Sequence, residues 1–542
     1  MPFAYVGRSS CIFRESGRKD VASSVYDAIN YFPELEDYDW PLRGTQAELG
    51  SLLLQAGKFR RTKVPDGLQA ACERLCSKYP RARPMQCFTG NCWSRQAIWE
   101  EVSQKTQSEE INRKASAGTP LSILGPTNGN IISSTPDFIV GCVTERILLL
   151  ASIELDELFG MSATELVQRG LCDPVRLFVK QEPHPKRKLK EGRFRLISSV
   201  SLIDQLVERM FFGPQNRLEI SEWRNTPSKP GMGLSSESQA QDIWRDLRFK
   251  HTRCPAAEAD ISGFDWTIQD WELWADVEMR IALGGFSSLL ANAARARFYC
   301  FMNSVLQLSN GQLLAQQLPG LMKSGSYCTS STNSRIRCLM AELIGSPWCI
   351  AMGDDSVEGW VEDAKEKYVE LGHVCKDYMP CAVSGNGDLK GVNFCSHFIS
   401  SKNFYLTTWP KTLFRYLCNS NENIDELYAE LHRSPKWNQI STFLRRYKVH
   451  SPSVDKINEQ NGQPFNKETI GVLDQGDSRD YDNPSTSTWK KEKSETQASK
   501  QIQCNCDDLG SCCYECSTRL QRTYDEWWSG RDNNLSFRDS DY

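Results

Sequence analysis

Three aspartates carry the most specific chemistry in this chain: Asp260 in "EADISGFDW", and the adjacent pair Asp354 and Asp355 in "AMGDDSV". Carboxylates arranged like these can hold two divalent cations about 4 Å apart, the device that drives phosphoryl and nucleotidyl transfer. One cation activates an attacking hydroxyl and the other neutralises a leaving pyrophosphate. Either motif alone has a plainer reading. An Asp ahead of a helix is most often an N-cap, and Asp after Gly is common in any hairpin turn. Their order carries the weight, because a third polar segment, "GLMKSGSYCTSSTNSRIRCLMAEL", lies between them.

The elements that must position these residues can be read around them. Ala256–Ile261 is predicted as a short strand with Asp260 at its end. Gly263 then turns the chain, and Asp265 opens an amphipathic helix whose first turn favours an acid. Trp348–Met352 and Ser356–Val361 are predicted as a hairpin around the turn Gly353, Asp354, Asp355. In the intervening segment Ser324 and Gly325 form a flexible loop, and a helix runs from about Cys328. Thr329 and Asn333 are four apart and share one face of a helix that otherwise carries Ile336, Leu339, Met340 and Leu343. A Ser/Thr-rich helix start explains that segment in isolation, but not its place between two carboxylate motifs.

D-x4-D, then S-G-x3-T-x3-N, then G-D-D resembles motifs A, B and C of viral RNA-dependent RNA polymerases. The stretches "YFPELEDYDWPLRGTQAELGSLLLQAGKF" and "FVKQEPHPKRKLKEGRFRLISSVSLIDQLVERMFFGPQN" resemble the polymerases of sobemoviruses, with poleroviruses as near relatives. The resemblance implies an α/β (α+β) right-hand fold with fingers, palm and thumb, the palm being an antiparallel sheet. It implies Asp260 and Asp354 as main metal ligands, Asp355 in support, and the main-chain carbonyl of Ile261 as a further ligand. Two Mg2+ ions are implied, with Mn2+ as a substitute. Asp265, Asn333 and Thr329 would then read the ribose 2′-hydroxyl, and Ser324 and Gly325 would be the hinge that lets template and nucleotide settle.

Further segments extend the resemblance. "LFVKQEPHPKRKLKEGRFRLISS" is similar to motif F, a dense basic run with Glu182 as an internal counter-charge. Arginine's fork matches phosphate oxygens, which makes Lys180 and Arg195 the expected triphosphate contacts; a solvated charged loop is the plainer reading. "YVELGHVCKDY" is similar to motif D, with Lys376 as the candidate general acid toward pyrophosphate, or else a surface lysine after a helix. "VNFCSHFI" is similar to motif E, the hairpin that grips the primer strand, and "KASAGTPLS" to motif G at the template entrance.

Bulk properties bound these readings without deciding them. The chain has 542 residues and a formal net charge of −4, which argues only against a uniformly basic coat-type protein. Its 21 cysteines are scattered through apolar runs. Residues 1–31 carry several charges and no apolar core, and the most apolar run, Phe138 to Ile153, is broken by Glu145 and Arg146. A cytosolic protein with reduced cysteines is expected, brought to membranes by partners. The expected division is an N-terminal extension over 1–110 packing on fingers and thumb, and fingers over 111–255. A palm follows over 256–406 with an insertion near 285–320, then a modest helical thumb over 407–450.

Beyond 451 the chain turns polar and is expected to be disordered. Cys504, Cys506, Cys512, Cys513 and Cys516 cluster there; four thiolates can hold zinc, but no histidine joins them and no finger spacing is present. Cys72, Cys76, Cys87 and Cys92 read as packed thiols. The resemblance implies RNA template and product, NTPs, a genome-linked protein primer and membrane-anchored viral replication proteins as partners, in host cytoplasm. It also implies release from a frameshifted polyprotein. A reverse transcriptase is the nearest rival, disfavoured by Met352 two residues before the Asp pair and by Asp265 with Asn333. A catalytically dead RNA-binding scaffold is disfavoured by the intact carboxylates.

Overall fold

The computed structural model describes residues 2–447 except 91, 235 and 420–422. The cysteine cluster at 504–516 and the polar tail lie outside the described residues. Helices and mostly antiparallel sheets are mixed, as expected. Among the described residues no helix is long and apolar enough to cross a membrane, and every cysteine is free.

A four-stranded antiparallel sheet carries the aspartates, in the order Cys349–Met352, Asp355–Gly359, Ala256–Ile261, Cys375–Pro380. Strand alternation sends Ala257, Ala259 and Ile261 into the main core with Ile336, Leu339 and Met340. Ala256, Ile350 and Val357 face a second core with Ile243, Trp244 and Leu247. The sheet is therefore buried on both faces, and its ends are left to do chemistry. The helix Thr329–Leu343 lies against the strands Cys349–Met352 and Asp355–Gly359.

That helix is buried on its polar side as well as its apolar one. Every residue from Ser331 to Ala341 is buried, because its polar side meets other charges instead of solvent. Arg335 pairs with Asp276 at 3.1 Å and Glu219 at 3.3 Å, all fully buried. Arg280 pairs with the same Asp276 at 2.8 Å. Burial alone would push the Asp276 carboxyl up, but Arg280 and Arg335 outweigh it and hold it down. Removing one member of such a buried set costs about 3–5 kcal/mol, so it pins the helix in one position.

A second sheet joins distant parts of the chain: Phe3–Arg8, Gln312–Gln316, Val305–Gln307, Val175–Val179, Leu196–Ser199. Its first strand pairs with the segment read as an insertion, and Val175–Val179 runs parallel to Val305–Gln307. The N-terminal region also binds two separate cores. Val25, Phe32, Leu35 and Trp40 pack with Leu413, Phe414, Leu427 and Phe443. Ala47, Leu52, Ala56 and Phe59 pack with Leu177, Val179, Phe194 and Leu196. Each large apolar side chain buried this way contributes about 1.5–3 kcal/mol, which holds the N-terminal region to both cores.

One predicted element is corrected. Asp265 does not open an α-helix: Phe264–Trp266 is a single 3-10 turn, and the α-helix starts at Asp270. Gly263, with φ +63, turns the chain tightly, and Thr267 donates its hydroxyl to the Phe264 carbonyl at 3.0 Å. Gln269 and Glu272 then cap the helix reciprocally.

Candidate active site

Strand register assembles the carboxylates. Met352 pairs with Asp355, so the hairpin loop is only Gly353 and Asp354. Gly353 has φ +63, which a glycine-first two-residue turn requires. Ser356 pairs with Ala259, so the next step outward sets Asp355 opposite Asp260. Asp355 is reached by solvent, yet the walls of its recess crowd it. Desolvation, then the charges of Asp354 and Asp260, push its carboxyl up to about 7.

The bulge in the neighbouring strand aims Lys376. Cys375 pairs with Ile261 and Asp377 with Asp260, leaving Lys376 as the extra residue. Its ammonium lies 2.6 Å from Asp260 Oδ2 with both side chains half exposed. Lys376 therefore sits, half exposed, in the strand that follows the helix Ala364–Glu370, with its ammonium at the carboxylates. Among the described residues no three or more His, Cys, Asp or Glu side chains close into a metal cage. The donor set still suits a hard divalent cation: all oxygen, anionic, and crowded enough to raise Asp355.

Asn333 donates from Nδ2 to Asp265 Oδ1 at 2.9 Å, bringing two of the predicted sugar readers together. Asn333 is 4% exposed, and its Oδ1 is buried without a hydrogen-bond partner. Thr329 does not join them: its hydroxyl donates to the carbonyls of Lys323 at 2.9 Å and Ser326 at 3.0 Å, closing the loop before the helix.

The loop is less free than its glycine suggests. The Ser198 N–H donates to Ser324 Oγ at 3.2 Å, and the Gly325 N–H donates to the Ser198 carbonyl at 3.1 Å. A Cβ on Gly325 would lie 2.4 Å from that carbonyl oxygen, so only glycine fits. Glu208 holds the next two residues, accepting from the Ser326 hydroxyl at 2.6 Å and the Tyr327 N–H at 3.0 Å.

The basic run folds as a hairpin: Val175–Val179 pairs with Leu196–Ser199, and the Lys180 N–H donates to the Arg195 carbonyl at 2.8 Å. Glu182 lies between their side chains, 3.5 Å from Lys180 and 2.9 Å from Arg195. A third cation, Lys411 of the helix Trp409–Cys418, reaches it at 3.1 Å. Burial would push the Glu182 carboxyl up, but Arg195, Lys180 and Lys411 outweigh it and hold it at about 2. His184 bridges the hairpin base: its Nδ1–H donates to the Glu182 carbonyl at 2.7 Å and Nε2 accepts the Arg195 N–H at 3.0 Å. Burial pushes that ring down to about 4, so it is neutral near pH 7.

Sequence reasoning missed Glu208, His184, Ser334 and Lys411. Ser334 accepts the Gly353 N–H at 2.8 Å, tying the helix to the aspartate turn. His184 and Glu182, two apart in a basic run, were the only local hint; the others act on residues far away in sequence. The segment Val392–Ile399 is a hairpin whose tip, Cys395 and Ser396, takes φ +51 and +59. Asn393 bonds to Glu258 at 2.6 Å, tying it to the Asp260 strand. In the segment Lys114–Ser122, Ala117 accepts the Leu202 N–H at 3.0 Å.

A family model described as viral RNA-directed RNA-polymerase matches residues 25–427, a span that contains every site residue above. The chain belongs to the viral RNA-directed RNA polymerase family. The replicase polyprotein P2AB of Southern cowpea mosaic virus is 61% identical over 476 residues, 87% of this chain and 49% of that protein. The replicase polyprotein P2AB of Southern bean mosaic virus is 58% identical over 498 residues, 91% of this chain and 51% of that protein. An RNA-directed RNA polymerase of Mushroom bacilliform virus is 35% identical over 349 residues, 62% of this chain and 79% of that protein. The chain thus spans about half the length of the two replicase polyproteins it matches. The resemblance to sobemovirus polymerases read from the motifs agrees with these family relations.

Proposed function

We propose that this chain is the polymerase module of a viral replicase, copying an RNA template by adding nucleoside monophosphates from NTPs to an RNA 3′-hydroxyl. The observation that carries this reading is the register that sets Asp355 opposite Asp260, with the Asp265–Asn333 pair a few residues away. In the reaction a bond forms between the 3′-oxygen and the α-phosphorus. The bond to pyrophosphate breaks, and the hydroxyl gives up its proton.

Asp260, Asp354, Asp355 and the carbonyl of Ile261 would hold two divalent ions, Mg2+ with Mn2+ as a substitute. Such ions supply charge stabilisation at the attacking and leaving oxygens. The remaining work falls to the chain's own groups. Lys376, placed by its bulge at Asp260, gives a proton to the departing pyrophosphate. Lys180 and Arg195 offer cationic donors to the triphosphate, with Glu182 holding them in place. Asn333 Oδ1, buried and without a donor, accepts from the ribose 2′-hydroxyl. Ser324 and Gly325 set the position of the template nucleotide. A right-hand division into fingers, palm and thumb is part of this reading, with the antiparallel carboxylate sheet as the palm; family membership supports it.

A genome-linked protein primer and membrane-anchored viral replication proteins are the proposed partners, and host cytoplasm at membrane-bound replication complexes the proposed place. Asp354→Ala tests the core of this reading. It is expected to abolish incorporation of labelled rNTPs on a primed RNA template while RNA binding, measured by filter retention, stays near wild type. Incorporation at the wild-type rate would overturn the assignment, and a wild-type preference for dNTPs would favour a reverse transcriptase.

A further inference from the structure

Lys58 comes from the N-terminal region, in the stretch that resembles sobemovirus polymerases but outside the segments likened to motifs A to G, and its side chain reaches the turn that follows Asp260. It follows the helix Thr45–Ala56, and Phe59 beside it is buried with Val179, Phe194 and Leu196 of the basic hairpin. The backbone there is held firmly. The Lys58 stem lies across Gly263, where an added Cβ would sit 2.8 Å from Nζ and 3.0 Å from Cδ. Gly263 is part of the turn that joins Asp260 and Ile261 to Asp265.

The amine has a neutral partner and cationic neighbours. It donates to Gln55 Oε1 at 2.8 Å, and among the described residues no carboxylate lies within ion-pair distance of it. Burial, then Arg193, Lys188 and Lys376, push the amine down from its ordinary value. Lys188 is pushed down in the same way by burial, Lys376, Arg193 and Arg195, with Asp260 opposing. Most surface lysines turn their ammonium into water and away from like charge. Here the fold gathers Lys58, Lys188, Arg193 and Lys376 near the Asp260 turn; Lys376 pairs with Asp260 and Arg193 with Glu191, yet the excess of positive charge favours an arriving polyanion.

We infer that Lys58 binds the polyphosphate tail of the incoming nucleoside triphosphate, completing a cationic site whose other members come from residues 186–195 and Lys376. The inference rests on the polymerase reading and deepens it. Lysine suits the role as a compact point charge on a flexible stem, needing no fork geometry.

The test uses the full chain in a stalled elongation complex, with Lys58→Gln and Lys58→Arg measured for single-nucleotide addition. Lys58→Gln is expected to raise the NTP KM about ten-fold, the loss of one charge-assisted hydrogen bond. It should weaken inhibition by inorganic pyrophosphate by a similar factor. Lys58→Arg should restore most of both, while RNA affinity and its salt dependence stay at wild-type values. An unchanged NTP KM would overturn the inference. Weakened RNA binding with a shallower salt slope and no change in KM would overturn it in favour of a template or product phosphate contact. As a measurement independent of any variant, inorganic pyrophosphate should protect Lys58 of the wild-type complex from an amine-reactive label, and absence of protection would also overturn it. A wild-type chain that fails to elongate RNA would instead defeat the polymerase reading.

Discussion

Asp265 and Asn333 hold one another at 2.9 Å, which leaves the Asn333 carbonyl oxygen buried with no donor. A buried acceptor without a partner costs about 1–3 kcal/mol. A ribose 2′-hydroxyl would satisfy it and a deoxyribose would not. Asn333→Ala and Asp265→Asn are therefore each expected to reduce discrimination against dNTPs by about ten- to a hundred-fold, since ~1.4 kcal/mol is one decade. Competing rNTP and dNTP incorporation on one template measures it. Uniform loss of activity with unchanged preference would mean that the pair only supports the turn after Asp260. At this scale the residue types were legible, because an Asp and an Asn ahead of and within helices are rarely buried without a polar purpose. The direction of Thr329 was not legible, because a hydroxyl four residues from Asn333 can point up its own helix or back into the preceding loop, as it does here, and spacing does not distinguish the two.

Elements meet the aspartate turn from two sides. Ser334 accepts the Gly353 N–H from the helix Thr329–Leu343, and Arg337, one turn further along, donates to Ser356 in the returning strand. The helix is itself immobilised by buried ion pairs, so its register sets the height of the turn. Ser334→Ala leaves the Gly353 N–H unpaired and the turn free to shift. A displacement of the carboxylates slows chemistry more than substrate binding. The expected result is a fall in kcat of about ten-fold, with the NTP KM and RNA affinity near wild type and the fold retained in a thermal melt. A rise in KM alone would show that Ser334 serves nucleotide binding. Lys376 teaches the same point: the sequence reads it as a motif D general acid or else a surface lysine after a helix, and a one-residue bulge decides where its charge falls.

Across the whole molecule, Glu182 joins the basic hairpin to the helix Trp409–Cys418 through Lys411, close to where the N-terminal region also clamps two cores. The carboxyl is held at about 2 in the fold against about 4.3 in an unfolded chain. A depressed carboxylate stabilises the fold above its unfolded value, and that stabilisation is lost as pH falls toward its folded value. Glu182→Gln is expected to lower Tm at pH 7, with the gap to wild type narrowing below about pH 4 and closing toward pH 2. Equal melting of both proteins at pH 7 would show that the three cations need no counter-charge. Because Glu182 holds Lys180 and Arg195, the proposed triphosphate contacts, the same variant should raise the NTP KM, checked by steady-state incorporation.

What the sequence determined by itself is local. The order of Asp260, Ser324 to Asn333, and Asp354 with Asp355 pointed to the polymerase family, and turn residues and alternation placed the strand Ala256–Ile261 at its observed bounds. Strand period, glycine turns and the density of basic residues all depend on neighbours within a few positions, so they can be read without a fold. Tertiary structure decided what those residues meet. Lys376 on Asp260, Ser334 on Gly353, Glu208 under the Ser324 loop, Lys411 on Glu182 and Lys58 over Gly263 are contacts between elements. They depend on sheet register, on a bulge and on helices pinned by buried charge, none of which leaves a periodic mark in the chain. The buried Arg335 and Arg337 show the reason plainly: a residue type that ordinarily faces water is held inside because partners from distant segments satisfy its charge.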